Sequence, residues 1–326
     1  MAKSVVAFSL GEFDPTYTRV LIGDVIFSFA NYFTSLGTLE VITSYADFNY
    51  SEIKDLGNLS TIGGYANFGE SKIENLANLT TIGGDAYFGG SKVTDLGNLT
   101  TIEGAVDFVN SQLENLGNLK RIRGSANFGF SQITNLGNLT SIGGYADFED
   151  SKITDLGNLT TVFDDVYFIN SKIKSLGNLT TIFGNADFTN SQVENLGNLN
   201  TIGGYADFED SKITDLGNLT TIGSYINFIN SEVKDLGNLT TIKGDAYFEN
   251  SQIINLGNLT TIKGNALFGK SEITDLGNLQ TIGGNAFFGD SKIKNLGNST
   301  TIGGIIYFGN RIDLEIEWIK RKKQIK

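Results

Sequence analysis

The chain has 326 residues, with 40 Gly and 23 Phe but one Pro, one Met, one Trp and neither Cys nor His. Without Cys there is no disulfide framework or thiolate site, and without His the commonest metal ligand and proton shuttle is missing, so most familiar catalytic constellations are excluded and no cofactor is implied. A formal net charge of −12 repels nucleic-acid phosphates and anionic lipid surfaces, which leaves a basic or neutral partner as the easier one to accommodate.

At the N-terminus the apolar run Val5-Val6-Ala7-Phe8 soon meets Glu12 and Asp14 and is too short for a signal peptide. The expected location is therefore the cytoplasm or an assembly such as a virion. No stretch approaches membrane-spanning length. Residues 1–35 carry Pro15 and a degenerate first coil in which Ile22, Ile26 and Phe33 are assigned to inward columns and Ser28 replaces Phe. This segment reads as an N-terminal cap, since an uncovered coil would expose its apolar layer and its strand edge.

From residue 36 to 310 the sequence repeats every twenty residues. Leu-Gly-Asn-Leu recurs at 56–59, 96–99, 116–119 and onward to 276–279, Ser at Ser51, Ser71 and onward to Ser291, and Phe at Phe48, Phe68 and onward to Phe308. The coil containing Ile62, Ala66, Phe68, Ile73, Leu76 and Leu79 has those six as its apolar columns. Ala66 and Phe68 alternate with Tyr65 and Asn67, the period of a strand with one buried face, and no window has the long 3.6-residue pattern of a helix. Each unit is therefore expected to be one coil with a short strand and turns. Six inward side chains at roughly 1.5–3 kcal/mol each do not offset roughly 1–2 kcal/mol of backbone entropy for each residue of a coil, so stability has to come from stacking coil on coil. The Asn column (Asn58, Asn78, Asn98) is expected to form an amide ladder to the turn backbone, with Ser51, Ser71 and Ser91 able to do likewise. Gly57 and Gly97 are expected at positive φ, with Ala77 showing that Gly is only weakly required.

The outward strand columns vary while the rest of the unit repeats. They supply the candidate partner-binding face: Tyr45, Asp47, Tyr65, Tyr87, Asp107, Tyr145, Asp147, Tyr167, Asp187, Tyr205, Asp207, Tyr225 and Tyr247. Tyr and Asp combine rigid contact area with hydrogen-bonding groups, the chemistry of a protein- or glycan-recognition surface; the alternative is an ordinary solvated strand face. Three further readings are weaker. Glu149-Asp150 and Glu209-Asp210 lie three coils apart, too far for a carboxylate couple. Asp187 and Asp207 stack and could share a cation or a proton. The Thr pairs Thr80-Thr81, Thr100-Thr101 and Thr160-Thr161 suggest ice binding, but they are adjacent and not separated by one residue, and Lys120-Arg121 interrupts them.

Residues 311–326 change composition: Asp313, Glu315 and Glu317 precede Lys320-Arg321-Lys322-Lys323, the charge order a helix dipole prefers. A short capping helix is expected, its basic run either solvated or a contact for an anionic surface.

Ala-x-Phe-x-x-Ser-x-Ile at 66–73 resembles the Leu-x-Leu-x-x-Asn-x-Leu segment of the leucine-rich-repeat superfamily, with Asn31 in the Ser column of the first coil. Ile-Gly-Gly-x-Ala-x-Phe is similar to the repeats of BspA-like bacterial proteins and receptor L domains, and similar twenty-residue arrays occur in phage proteins. One inserted residue between the Ile and the strand departs from that pattern. The resemblance implies a parallel sheet along one face, turns or short extended segments along the other, and a role in partner recognition. The expected fold is an all-β, right-handed parallel β-solenoid, leucine-rich-repeat-like, of about fourteen 20-residue coils with terminal caps. The expected function is a non-catalytic protein-recognition or structural scaffold, the alternatives being a structural or adhesion component of a phage particle, filament or cell surface, or ice binding. Lateral self-association through the Tyr columns is compatible with either of the first two.

Overall fold

A computed structural model describes residues 6–7, 9–28, 32–296 and 300–324. The chain divides into two compact units, Met1–Asp164 and Asp165–Lys326, and both are stretches of parallel β-solenoid, with about fourteen turns between them.

Each turn makes two strands of two residues, such as Thr61–Ile62 and Ala66–Asn67. The first strand pairs in parallel with its equivalent in the next turn (Thr61 with Thr81), and so does the second (Ala66 with Ala86). Two sheets thus climb each unit, here called the Thr sheet and the Tyr sheet. A third side carries single bridges, such as Asn75 to Asp95. One strand per coil was expected, and two are found. The Thr-Ile pair is too short to show an alternating pattern, but Thr and Ile are β-branched and suit extended backbone.

Three corners close the coil. Gly63-Gly64 separates the two strands. A second corner follows Phe68 and puts Glu70 at φ 49°, Asn110 at 56° and Asp150 at 50°; Asn and Asp dominate this position because their side chains tolerate the left-handed region. A third has Gly57 at 58°, Gly97 at 58° and Ala77 still at 46°, as the sequence leads one to expect. The Asn ladder is also present: Asn78 Nδ2 donates to Gly57 O and Asn118 Nδ2 to Gly97 O, both at 3.1 Å.

Inside, Ile62, Ala66, Phe68, Ile73, Leu76 and Leu79 are all fully buried, and their equivalents repeat this turn after turn. Phe rings stack face to face along the axis within each unit, from Phe68 on Phe88 at 5.0 Å to Phe208 on Phe228 at 5.3 Å. That spacing is close to the hydrogen-bonded distance between neighbouring strands, so pairing and stacking share one register.

The Ser column does not form the expected ladder. Ser51, Ser71 and Ser91 are buried and their Oγ atoms have no hydrogen-bond partner, as at most equivalent positions. At Ser251 the Oγ donates to Phe248 O at 2.7 Å. A buried unpaired hydroxyl is destabilising and a paired one contributes about 1 kcal/mol. Ser251→Ala is therefore expected to lower stability by about 1 kcal/mol, whereas Ser151→Ala leaves it unchanged or raises it. Denaturant unfolding of the two variants measures the difference.

The N-terminal segment holds β1 (Val6–Ala7), β2 (Val20–Leu21) and β3 (Val25–Ile26). The first coil is one residue out of the expected register. Val25 pairs with Ala46, Phe27 stacks on Phe48 at 5.1 Å, and Leu21, Val25 and Phe27 are the buried residues, while Ile22 and Ile26 are exposed. Phe27, not Ser28, holds the Phe column, because the extra residue falls between Phe27 and the bridge at Ser35; Asn31 lies outside the described residues. At the other end α1 (Ile312–Gln324) begins with Asp313 and Glu315 in its first turn, where the helix dipole favours them. Leu314 is buried. Arg311 donates to Ser291 O and Ile293 O and pairs with Asp313 at 2.7 Å, which anchors the helix to the coil beneath it. The side chains of the basic run after Lys320 lie outside the described residues.

Candidate recognition face

The outward residues of the Tyr sheet form two columns. In the unit Met1–Asp164, the first contains Tyr45, Tyr65, Asp85 and Tyr145 and the second Asp47, Asn67, Tyr87, Asp107 and Asp147. In the unit Asp165–Lys326, the first contains Asp165, Asn185, Tyr205, Tyr225 and Asp245, and the second Tyr167, Asp187, Asp207, Asn227 and Tyr247. Strand register brings together, within each unit, the residues expected on this face: Ala46 pairs with Ala66 and Asp187 with Asp207.

The tyrosines gather in stacks. Tyr45 lies on Tyr65 at 5.2 Å and Tyr205 on Tyr225 at 4.7 Å, while Tyr247 meets Tyr225 edge-on at 6.1 Å and 84°. Offset stacks and edge-to-face pairs are the arrangements the ring quadrupole prefers. Tyr87 occupies the space over Gly69 and Gly89, where a Cβ would collide with its ring; elsewhere that position carries Val109, Glu149 or Ile169.

The acids of the second column are held by their own backbone. Asp47 Oδ1 accepts from Asn49 N–H at 3.0 Å, Asp107 from Val109 at 2.8 Å, Asp147 from Glu149 at 2.9 Å, Asp187 from Thr189 at 2.9 Å and Asp207 from Glu209 at 3.0 Å. Asn67, Asn127 and Asn227 make the same turn, which explains why Asp and Asn interchange there. Sequence reasoning did not single out Asp85, Asp165 and Asp245 of the first column. Each accepts from the backbone N–H of the next coil at 2.7 Å, and the hydroxyls of Tyr167 and Tyr247 reach Asp165 and Asp245 at 3.3 and 3.4 Å. The signal was present as Asp-x-Tyr in every fourth coil, at 85–87, 165–167 and 245–247.

Charge is segregated between the sides of the coil. Neither column of the Tyr sheet contains a Lys or Arg. The third side instead carries ion pairs between successive coils: Lys72 with Glu52 at 2.6 Å, Lys212 with Glu232 at 2.7 Å and Lys292 with Glu272 at 2.6 Å. These are exposed and contribute little to stability.

Burial pushes the Tyr65 phenol up to about 12, and the neighbouring phenols and the Asp47 and Asp85 carboxylates add to the effect. Tyr45, Tyr205, Tyr225 and Tyr247 shift upward as well, first through burial. Asp207 also rises through burial, with Asp187 adding to it and bonds from Glu209 N–H and Asn227 opposing it. A phenol whose folded pKa lies above its unfolded value stabilises the fold fully below the unfolded value, and this is lost as pH rises through the folded one. For Tyr65 that window runs from pH 10.0 to about 12. Absorbance titration at alkaline pH is expected to show a class of tyrosines ionising above the ordinary range, and the Tyr65→Phe variant to lose one member of it.

The other sequence candidates take structural places. Asp150 and Asp210 sit at the left-handed corner, with φ of 50° and 53°. Among the described residues, no three His, Cys, Asp or Glu side chains converge as a metal-ligand set. In the Thr pairs, the first hydroxyl donates to the carbonyl one coil below: Thr80 to Ser60 O at 3.0 Å and Thr100 to Thr80 O at 3.2 Å. Thr80 and Thr160 are exposed and Thr100 is half-buried, while the second Thr of each pair is half-buried on the Thr sheet. No described helix is long and apolar enough to cross a membrane.

In the unit Asp165–Lys326 the second column continues as Leu267, Phe287 and Tyr307. Beside it, Gly269 and Gly289 leave a groove of about 490 Å³, walled by Glu249, Asn250, Lys270 and Asp290. No family model, curated protein or solved structure matches the chain.

Proposed function

We propose that the chain is a non-catalytic recognition scaffold whose working surface is the outward face of the Tyr sheet. One observation carries this reading: the two columns of that face are rich in Tyr, Asp and Asn that change from coil to coil while the inward columns repeat, and the stacked rings and backbone-anchored carboxylates are prearranged on rigid strands. Side chains held in this way lose little conformational entropy on binding. The leucine-rich-repeat-like patterning, in which a strand face serves as the recognition surface, agrees with it. The occupant is a protein or a glycan.

A structural role in a phage particle, filament or cell surface is the second reading. It is favoured by the terminal coil, where Ile302, Ile306 and Phe308 are only half-buried and Ile312, Ile316 and Ile319 of α1 are exposed.

Replacing Tyr145, Tyr205 and Tyr225 together by Ser tests the recognition reading. These rings are on the surface, so the fold is retained. Affinity for a partner isolated with the protein from its native source is expected to fall at least tenfold, about 1.4 kcal/mol. Unchanged affinity in a folded variant contradicts the proposal.

A further inference from the structure

We infer that, in the unit Asp165–Lys326, the Tyr sheet takes an extended polypeptide segment that lays a Lys or Arg side chain over Tyr205, Tyr225 and Tyr247 and, about four residues away, an apolar side chain into the adjoining groove. This rests on the recognition role proposed above and adds the chemistry of the occupant.

The case for a cation is one of complementarity. Tyr225 and Tyr247 stand at 84° to one another with centroids 6.1 Å apart, an edge-to-face contact, so a group laid over the pair from its outer side meets both rings. An ammonium or guanidinium is attracted to such a face within about 6 Å. The carboxylates of Asp187 and Asp207 are register neighbours on the same face, and Asp245 lies at the Tyr247 hydroxyl, 3.4 Å away. Like charges so placed repel one another, and no Lys or Arg in either column relieves them. A neutral glycan would stack on the rings but leave that repulsion in place, whereas a basic side chain removes it.

The case for a polypeptide comes from the groove. Leu267 follows Tyr247 in the same column and Phe287 follows Leu267, so the apolar floor begins where the Tyr cluster ends. The coils of Tyr225 and Phe287 are three apart, which at about 4.8 Å per strand is about 14 Å, the reach of about four residues of extended chain. On the groove wall Glu249 and Asp290 outnumber Lys270, so the path keeps a net negative charge.

The test uses the full chain and three fluorescent ten-residue peptides in a Ser/Gly background: one with two adjacent Arg and a Phe four residues on, one with citrulline for Arg, and one with Ser for Phe. Anisotropy titrations are expected to show saturable binding of the first, at least tenfold weaker binding of each of the others, and a further fall with added salt. Tyr225→Ser with Tyr247→Ser is expected to weaken binding at least tenfold. Asp187→Asn, Asp207→Asn and Asp245→Asn combined should do the same while keeping the fold, because Asn already makes the same turn at Asn227 and accepts the same bond from the next coil at Asn185 and Asn265. Removing the same charge from the third side, through Glu194→Gln, Glu232→Gln and Glu272→Gln, is expected to have less than a threefold effect. Equal losses from the two charge sets, full binding of the citrulline peptide, or no binding of the Arg peptide at millimolar concentration overturns the inference. A native partner that depends on the Tyr face but not on its own basic residues overturns the inference alone and leaves the recognition role standing.

Discussion

Phe208→Ala is expected to lower stability by about 3–5 kcal/mol, the range for truncating a buried Phe without full collapse of the site. Phe208 is fully buried and stacked at 5.0 Å on Phe188 and 5.3 Å on Phe228. Its loss removes two ring contacts as well as transfer free energy. In a repeat array, stability is a sum of coil and interface terms, so the damage should be local. Hydrogen exchange should rise at the strands Ala186–Asp187 and Ile226–Asn227 more than at the strand Ala266–Leu267. A loss below 1 kcal/mol, or uniform loosening of the whole unit, would show that the Phe stack is not what ties neighbouring coils together.

The second large effect is expected at Arg311. Its guanidinium donates to two backbone carbonyls, at Ser291 and Ile293, and pairs with Asp313, while its side chain is 18% exposed. Hydrogen bonds from a charged donor contribute about 1.5–3 kcal/mol each, and the carbonyls left behind lose their partner. Arg311→Ala should therefore lower the free energy holding the terminal coil closed by about 2–4 kcal/mol. Amides of that coil, including Thr301 N–H bonded to Gln280 O at 2.8 Å and Gly303 N–H bonded to Ile282 O at 2.9 Å, should then exchange faster. Unchanged protection there would mean that Leu314 alone docks α1.

Much of this architecture could be read from the repeat. The inward columns at Ile62, Ala66, Phe68, Ile73, Leu76 and Leu79, the Asn78 ladder and the positive φ at Gly57 follow from apolar periodicity and from the chemistry of Asn and Gly. What could not be read this way depends on geometry that periodicity does not encode. The Thr61–Ile62 strand was missed because two residues cannot display a period. The one-residue shift of the first coil was missed because Ile22 and Ile26 are as apolar as Leu21 and Val25, so composition did not choose between the registers; only stacking on Phe48 does. The Ser column looked like a second ladder, yet its hydroxyls point into the core. Of the candidate face, the residues were visible from their variation, but the reason Asp and Asn interchange was not. The Asx turn at Asp47 and Asn67 requires the coordinates of the backbone two residues on.

The claim that recognition uses the Tyr sheet is tested most directly by hydroxyl-radical footprinting of the protein bound in its native assembly, compared with the free chain. Tyr residues are good reporters, and exposed apolar residues on the other sides serve as internal controls: Phe183, 56% exposed at the corner after the Thr sheet, and Ile254, 54% exposed on the third side. Protection of Tyr205, Tyr225 and Tyr247 with Phe183 and Ile254 unchanged is the predicted result. Protection of Phe183 or Ile254 with the tyrosines still labelled would place the interface elsewhere and contradict the account.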